Sequence, residues 1–298
     1  MKRRNFLKNT AYAAIAISTT GFIRFDGKKY LGDCETTSDI LGPFYRPGSP
    51  VRNNFIIPGE KGQPLELFGI IKHNDCTTPY KNAKIELWHC DTKGVYDNTT
   101  DEFRYRGTTY SGENGQYSFK TILPVAYDIG NGHTRPAHFH LMITAEGYQP
   151  LITQLYFTGD KFIPKDPSAS ALTSKRRILE IQNGAGGKRV LYDVSMSPSL
   201  LAEPEGLEKL TGVYVNPNDV TKTIELFSKN HTLWMKNEVY GESFTYAGTN
   251  TFEYSGSPAG YEENLQFEVA STGAVHLKFN YVDDDKIKHV ERYEKKMN

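Results

Sequence analysis

The chain has 298 residues, enough for one large domain or two modest ones, and its 35 basic and 35 acidic residues cancel to a formal net charge of +0. That balance supplies neither the basic footprint of a nucleic-acid-binding protein nor a polybasic membrane patch. Aromatic residues make up 12%, with 19 Tyr, and 26 Gly and 15 Pro fall among short apolar segments, a texture that predicts a β-rich, loop-rich fold.

The chain opens with the basic decapeptide MKRRNFLKNT, followed by the short apolar stretch AYAAIAIS. A charged region and an apolar region too short to span a bilayer form a targeting pattern. The run RRNFLK, built on Arg3 and Arg4, resembles a twin-arginine export signal, so residues 1–29 are assigned to export, with the periplasm as the expected destination. The mature chain is expected to have no integral membrane span. No A-x-A cleavage site is visible, which leaves a membrane-anchored form and a disordered basic tail as alternatives. After export, Cys34, Cys76 and Cys90 would meet an oxidising compartment, where one disulfide and one free thiol are the simplest outcome, with the pairing open. The absence of a CxxC spacing argues against a zinc–thiolate site.

Residues 30–60 are punctuated by Gly, Pro and Asn and read as irregular. From Leu65 the texture changes to short β-branched or aromatic runs bounded by turn residues: ELFGIIKHN, AKIELWHCD, GQYSFKTIL, AHFHLMITAEG and LITQLYF. Their lengths and spacing predict an antiparallel β-sandwich over residues 30–200. SALTSKRRILEIQ is expected to hold one short helix, and GKRVLYDVSMS to return to strand. MSPSLLAEPEG, around 196–206, reads as a linker. Beyond it TGVYVNP, KTIELFSKN, TLWMKNE, ESFTYAG, NTFEYSG, NLQFEVAS, AVHLKFNYV and KHVERYEKK alternate apolar and polar residues. That period predicts a second, small, barrel-like all-β accessory domain over 207–298, with no cluster of His, Cys or acidic residues along its sequence. The fold class expected for the whole chain is therefore all-β.

The stretch RPAHFH, Arg135 to His140, carries the first chemistry. In a strand, residues i and i+2 lie on one face about 6.5–7 Å apart, so His138 and His140 point the same way and Phe139 points into the opposite layer. Two such imidazoles can share a metal or form a hydrogen-bonded structural pair. Tyr96 follows a Gly turn, and Tyr127 is expected in a loop three residues after Pro124. Taken singly, each reads as a packing residue, and Arg135 as a surface ion-pair partner. Trp88, Phe103 and Tyr117 are expected in the core or a pocket wall. His89 is expected on the opposite face in a structural role. His73 and His133 carry no assigned role.

Six segments in order, LGPFYRPGSPVR, IELWHCDTKGVYDN, FRYRGTTYSGENGQYSFKTILPVAY, RPAHFHLMI, TQLYFTGD and KDPSAS, resemble the intradiol ring-cleavage dioxygenases, from about Leu41 to Arg177. The resemblance implies a β-sandwich holding a non-haem Fe(3+) through Tyr96, Tyr127, His138 and His140, with Arg135 lining the substrate pocket. It implies an oxidoreductase of aromatic catabolism that uses O2 to cleave a catechol between its two hydroxylated carbons, giving a muconate-type diacid. Phenolate oxygen suits a hard trivalent ion, and such an ion overturns the preference of tyrosine for its protonated form at pH 7. Fe(III), two phenolates and one hydroxide sum to zero charge, tolerable in a partly desolvated site. In the family scheme one tyrosine, Tyr127 by motif position, leaves the metal and accepts a catechol proton, while Arg135 stabilises developing negative charge.

The chain departs from the family pattern in three places, the least of them Thr158 in TQLYFTGD, where relatives often carry proline. The interval from Tyr127 to His138 is only eleven residues, with GNG inside it, which predicts a reshaped pocket and leaves the identity of the catechol open. The long helical N-terminal segment of catechol-type relatives is missing, so a dimer built on such helices is not expected and the oligomeric state stays open. Two other readings compete. One is a zinc metallohydrolase on His138 and His140, which lacks a third His or carboxylate at clear spacing. The other is a non-catalytic exported β-sandwich that binds a ligand or partner.

Overall fold

In the structure, a computed structural model, residues 24–25, 30–31 and 36–296 are described, apart from 131, 185–186, 198–201, 231, 239, 255, 257–260 and 284. Cys34, Arg3, Arg4 and nearly all of the export assignment over 1–29 lie outside the described residues. The first strands, β1 (Arg24–Phe25) and β2 (Tyr30–Leu31), pair with each other. Next come β3 (Pro64–Lys72), β4 (Lys84–Trp88), β5 (Arg106–Tyr110) and β6 (Gln116–Ile122). They are followed by the two-residue strands β7 (Tyr127–Asp128) and β8 (Thr134–Arg135), then β9 (His138–Thr144) and β10 (Leu151–Phe157). The first half closes with β11 (Ile178–Leu179), β12 (Gln182–Gly184), β13 (Gly187–Leu191) and β14 (Val194–Ser195).

These strands form two five-stranded sheets. One has the order β11-β10-β9-β4-β5; in the other, β3 is flanked by β6 on one side and by β13 and β14 on the other, with β12 outermost. Along β3, Leu65, Leu67 and Ile71 turn inward in strict alternation, as expected of a strand with one covered face. β10 is buried at every position, because it is covered on both faces. Between the sheets lies one apolar cluster that includes Leu67, Ile85, Leu87, Phe119, Phe139, Leu141 and Leu155.

Three expectations need correction. The sandwich is not wholly antiparallel: β13 and β14 run parallel to β3, and β11 runs parallel to β10. Parallel neighbours need a crossover of a dozen or more residues, and the segment 158–177 provides one between β10 and β11. The helix expected in SALTSKRRILEIQ is a 3-10 helix, Leu172–Arg177; its Ser174 and Arg177 are buried and spend their polar groups on Ala169, Ala171 and Asp39. Tyr127 is not in a loop but in β7, paired with β8 so that Tyr127 faces Arg135 across the hairpin.

The linker carries a short helix, α1 (Pro204–Leu210), whose Leu207 and Leu210 enter the core of the second half. Eight strands follow: β15 (Gly212–Asn216), β16 (Asp219–Lys229), β17 (Thr232–Met235), β18 (Glu242–Gly248), β19 (Thr251–Tyr254), β20 (Asn264–Val269), β21 (Val275–Val282) and β22 (Lys288–Lys295). Each pairs antiparallel with the next, and β15 pairs with β22, so the sheet closes into a barrel. Closure leaves this sheet no free edge. The all-β expectation of a sandwich followed by a barrel therefore holds.

The barrel seats against the sandwich through edge-to-face aromatic contacts. Ring centroids step from Trp88 to Tyr45 (5.1 Å), Tyr45 to Tyr240 (5.2 Å) and Tyr240 to Trp234 (5.2 Å), within an apolar cluster that also holds Leu41, Tyr96 and Met142. Cys76 is disulfide-bonded and Cys90 keeps a free, buried thiol. No helix among the described residues is long and apolar enough to cross a membrane.

Phe139 is fully buried between Phe157 and His89 at the centre of the sandwich. Phe139→Ala is expected to cost about 3–5 kcal/mol of stability, read as a lowered urea midpoint at unchanged slope; a loss below about 1 kcal/mol would contradict this placement.

Candidate metal centre

β9 lies between β10 and β4, with His138 opposite Tyr156, and His140 flanked by Gln154 on one side and Trp88 on the other. A strand hydrogen-bonded on both edges has no freedom to slip, since a one-residue slip would turn every side chain to the other face. His138 and His140 thus share one face, both buried, while Phe139 enters the core. Their Nε2 atoms are 3.1 Å apart. His138 Nδ1 lies 2.6 Å from the carbonyl of Pro136, and a carbonyl can only accept, so Nδ1 carries the proton and Nε2 presents its lone pair to the cluster. His140 is stacked on Trp88, with centroids 5.0 Å apart and planes 9° apart. Its Nδ1 has no hydrogen-bond partner, so with no cation present the ring carries its proton on Nε2 and donates it to the His138 Nε2 lone pair.

The two tyrosines arrive from separate loops. After β4, Asp91 accepts hydrogen bonds from the N–H groups of Lys93 and Val95, folding the turn that delivers Tyr96. Gly94 in that turn has φ +79°, and a Cβ there would lie 2.7 Å from Cβ of Tyr127, so the position needs glycine for both its torsion and its space. Tyr96 stacks on Phe44 at 4.3 Å and directs its hydroxyl at His138 Nε2, 3.4 Å away. The Tyr127 ring stands 5.6 Å from the Tyr96 ring and 5.6 Å from the His138 ring. All four side chains therefore converge on one point. Tyr96 is buried, and Tyr127 is half-buried at its edge.

Burial dominates the electrostatics of this cluster. Burial, reinforced by the charge of Arg135, holds the His138 imidazole down at about 3, and His140 well below its ordinary range. Both are neutral at pH 7 and keep lone pairs for coordination. Burial, followed by the neighbouring Tyr127 phenol, pushes Tyr96 well up; burial raises Tyr127 as well, partly offset by Tyr96 and Arg135. Without a cation both phenols stay protonated. Among the described residues no cluster of three or more His, Cys, Asp or Glu is placed to hold a metal, so any centre here must use the phenols. Two imidazole nitrogens and two phenol oxygens facing one another in a buried space form a hard, mixed N/O donor set suited to ferric ion. A cation on His140 Nε2 would take the place of the proton that this nitrogen otherwise shares with His138.

Arg135 is not the surface ion-pair partner that the residue alone suggests. Its Nε donates to Asp166 Oδ2 at 2.5 Å and its Nη2 to Gln154 Oε1 at 2.6 Å. Gln154 in turn donates to the carbonyl of Ile40. The hydroxyl of Tyr156 lies within reach of both Asp39 and Gln154, and Asp39 is ion-paired with Arg177. Asp39, Gln154, Tyr156, Asp166 and Arg177 are all buried, and none was singled out from the sequence. The available signal was Gln154 inside the apolar run LITQLYF, on the same strand face as Tyr156.

The remaining candidates fall outside the cluster. His89 faces the other way, bonded to the Cys90 carbonyl and Thr121 Oγ1. Tyr117 is core, donating to the carbonyl of Tyr192. Phe103 lies under the guanidinium of Arg46. His73 bonds to Tyr148, and His133 is exposed at the β7–β8 turn. A cavity of about 690 Å³ opens against Arg135, Asp166 and the segment Ile40–Pro43. Gly42 joins it to the cluster, its Cβ position lying 3.0 Å from His140 Cε1.

Comparison with known proteins adds the following. A family model described as Dioxygenase matches residues 40–198, which leaves the barrel outside the match. The chain is 35% identical over 163 residues to chlorocatechol 1,2-dioxygenase of Rhodococcus opacus, covering 47% of this chain and 63% of that protein. It is 29% identical over 217 residues to 6-chlorohydroxyquinol 1,2-dioxygenase of Cupriavidus pinatubonensis, covering 67% and 76%. The chain thus spans less than two thirds of the length of the Rhodococcus relative. The solved catechol 1,2-dioxygenase of Pseudomonas arvilla C-1 superposes with a TM-score of 0.51 at 23% identity over 67% of this chain and 69% of that one, a likeness of fold.

The buried imidazoles carry a pH consequence. Burial also lowers His89, to about 4. Below about pH 6.5 the unfolded chain takes up protons that the folded His89, His138 and His140 refuse. Stability of chelator-treated protein is therefore expected to be level above pH 7. It should fall as pH drops from about 6.5 toward 4, by on the order of 2 kcal/mol per imidazole at pH 5. Urea midpoints at pH 7.5 and 5.0 measure this, and equal midpoints would mean that the rings are not buried and neutral.

Proposed function

Because the chain belongs to the intradiol ring-cleavage dioxygenase family, we propose that it uses O2 to cleave a catechol between its two hydroxylated carbons, at a ferric ion held by Tyr96, Tyr127, His138 and His140. The observation that carries this reading is the convergence of those four side chains, with imidazole nitrogens 3.1 Å apart and the Tyr96 hydroxyl 3.4 Å from one of them. Ferric ion, when bound, supplies the Lewis acidity that draws a catechol in as its dianion and activates the ring toward O2.

The protein's own groups do the rest. Tyr96, buried and stacked on Phe44, together with the two strand-borne histidines forms the fixed part of the donor set. Tyr127, half-buried on a two-residue strand, is the donor that would yield to the catechol, its Oη taking one of the two catechol protons while the hydroxide counted with the ion would take the other. Arg135, with Nε and Nη2 committed to Asp166 and Gln154, has Nη1 left to donate to oxygen that gains negative charge during cleavage. Both atoms of O2 enter the diacid product, and no external reductant is consumed. The zinc and binding-only readings gain no specific observation here.

We place the protein outside the cytoplasm. The Arg3–Arg4 run and a disulfide-bonded Cys76 both fit an oxidising compartment. Arg3→Lys with Arg4→Lys is expected to strand the protein in the cytoplasmic fraction, as read by immunoblot; unchanged export of the double variant would overturn the assignment.

Iron-loaded protein is expected to be coloured by tyrosinate charge transfer, to consume O2 with unsubstituted catechol, and to release a muconate rather than a semialdehyde. Tyr96→Phe and Tyr127→Phe should each shift or abolish the colour and cut turnover at least a hundredfold. Arg135→Ala should retain iron and slow turnover by about 10²–10³. An unchanged spectrum and rate in either tyrosine variant would remove that residue from the centre.

A further inference from the structure

The cavity beside Arg135 is shared between the two halves of the chain. The sandwich supplies Ile40–Pro43, Arg135 and Asp166; the barrel supplies Glu242, Tyr254, Tyr261 and Glu263, with Glu238 at the rim. We infer that the barrel is the substituent-reading wall of the substrate cavity, and that Glu242 and Glu263 favour catechols bearing a cationic aminoalkyl chain over catechols bearing a carboxylate. The inference rests on the ring-cleavage reading and deepens it.

Charge on the walls is the first argument. Arg135 and Asp166 neutralise each other in a direct ion pair. Glu242 and Glu263 are each half-buried, and no hydrogen bond or ion pair to either carboxylate is found among the described residues. Burial, then the neighbouring Glu242, pushes Glu263 up to about 7, and burial also raises Glu242. Two carboxylates that face each other in a desolvated space are relieved by a cation placed between them, and they repel an added anion. Lys286 lies over the ring of Tyr261 at 2.9 Å from its centroid and forms no ion pair with either acid among the described residues.

Position is the second argument. A catechol oriented by Arg135 presents its ring substituents away from the metal donors, into a cavity whose acidic and aromatic lining, Asp166 apart, comes from the barrel. That wall is fixed in place by the aromatic contacts from Trp88 through Tyr45 and Tyr240 to Trp234. Tyr254 adds a ring to that wall, and aromatic faces attract ammonium groups. Selection then has an attractive and a repulsive component, as specificity generally requires.

The experiment compares kcat/KM of the full-length, iron-loaded protein for catechol, 4-(2-aminoethyl)catechol and 3,4-dihydroxybenzoate. Anaerobic calorimetry of the same three ligands supplies a reading independent of turnover. Wild type is expected to prefer the amine over the acid at least a hundredfold. Glu242→Gln with Glu263→Gln should compress that ratio at least tenfold, and Glu242→Lys with Glu263→Lys should reverse its sign. Cleavage of catechol with an amine-to-acid ratio that neither double variant moves would overturn the inference and leave the ring-cleavage reading standing. Failure to cleave or bind any of the three would overturn both.

Discussion

The approach of two imidazole nitrogens to 3.1 Å in a space closed to water is the constraint on which the rest of the molecule depends. Two neutral imidazoles give up hydration to meet in a low-dielectric interior, and recover only the one hydrogen bond between them unless a cation takes its place. Here the sheet enforces it. β9 is the central strand of its sheet, flanked by β10 and β4, and its period-two geometry sends both rings to one side. Loops then only have to bring phenols to that side. Gly94 permits it by omitting a side chain where Tyr127 needs room, and Asp91 folds the turn that carries Tyr96.

Legibility followed the range of the interactions. The pairing of His138 with His140 was readable because a strand repeats every two residues. The barrel was readable because eight successive segments kept that period. The two tyrosines were not readable from local chemistry at all: a tyrosine after a Gly turn is usually packing, and only ordered motifs of a known family singled out Tyr96 and Tyr127. The hairpin holding Tyr127 was missed because two-residue strands leave no periodicity to detect.

Long-range polar contacts were missed for a related reason. Asp39 and Arg177 are 138 positions apart, and Gln154 reaches the Ile40 carbonyl across 114. The same distance blindness hid the acidic character of the barrel wall. Glu242 and Glu263 show no cluster in the chain, and the pairing of β18 with β19 and of β19 with β20 sets them on one side of one cavity. The parallel strands β11, β13 and β14 were read as antiparallel because single-strand patterns carry no direction.

A cavity with its floor in the sandwich and its roof in the barrel lets its two walls vary separately. Drift in the roof can retune which pendant groups are welcomed while the electron-handling floor stays untouched, since no barrel strand contributes to the four-ring cluster. Acquiring a new nutrient would then require edits only to the last third of the polypeptide.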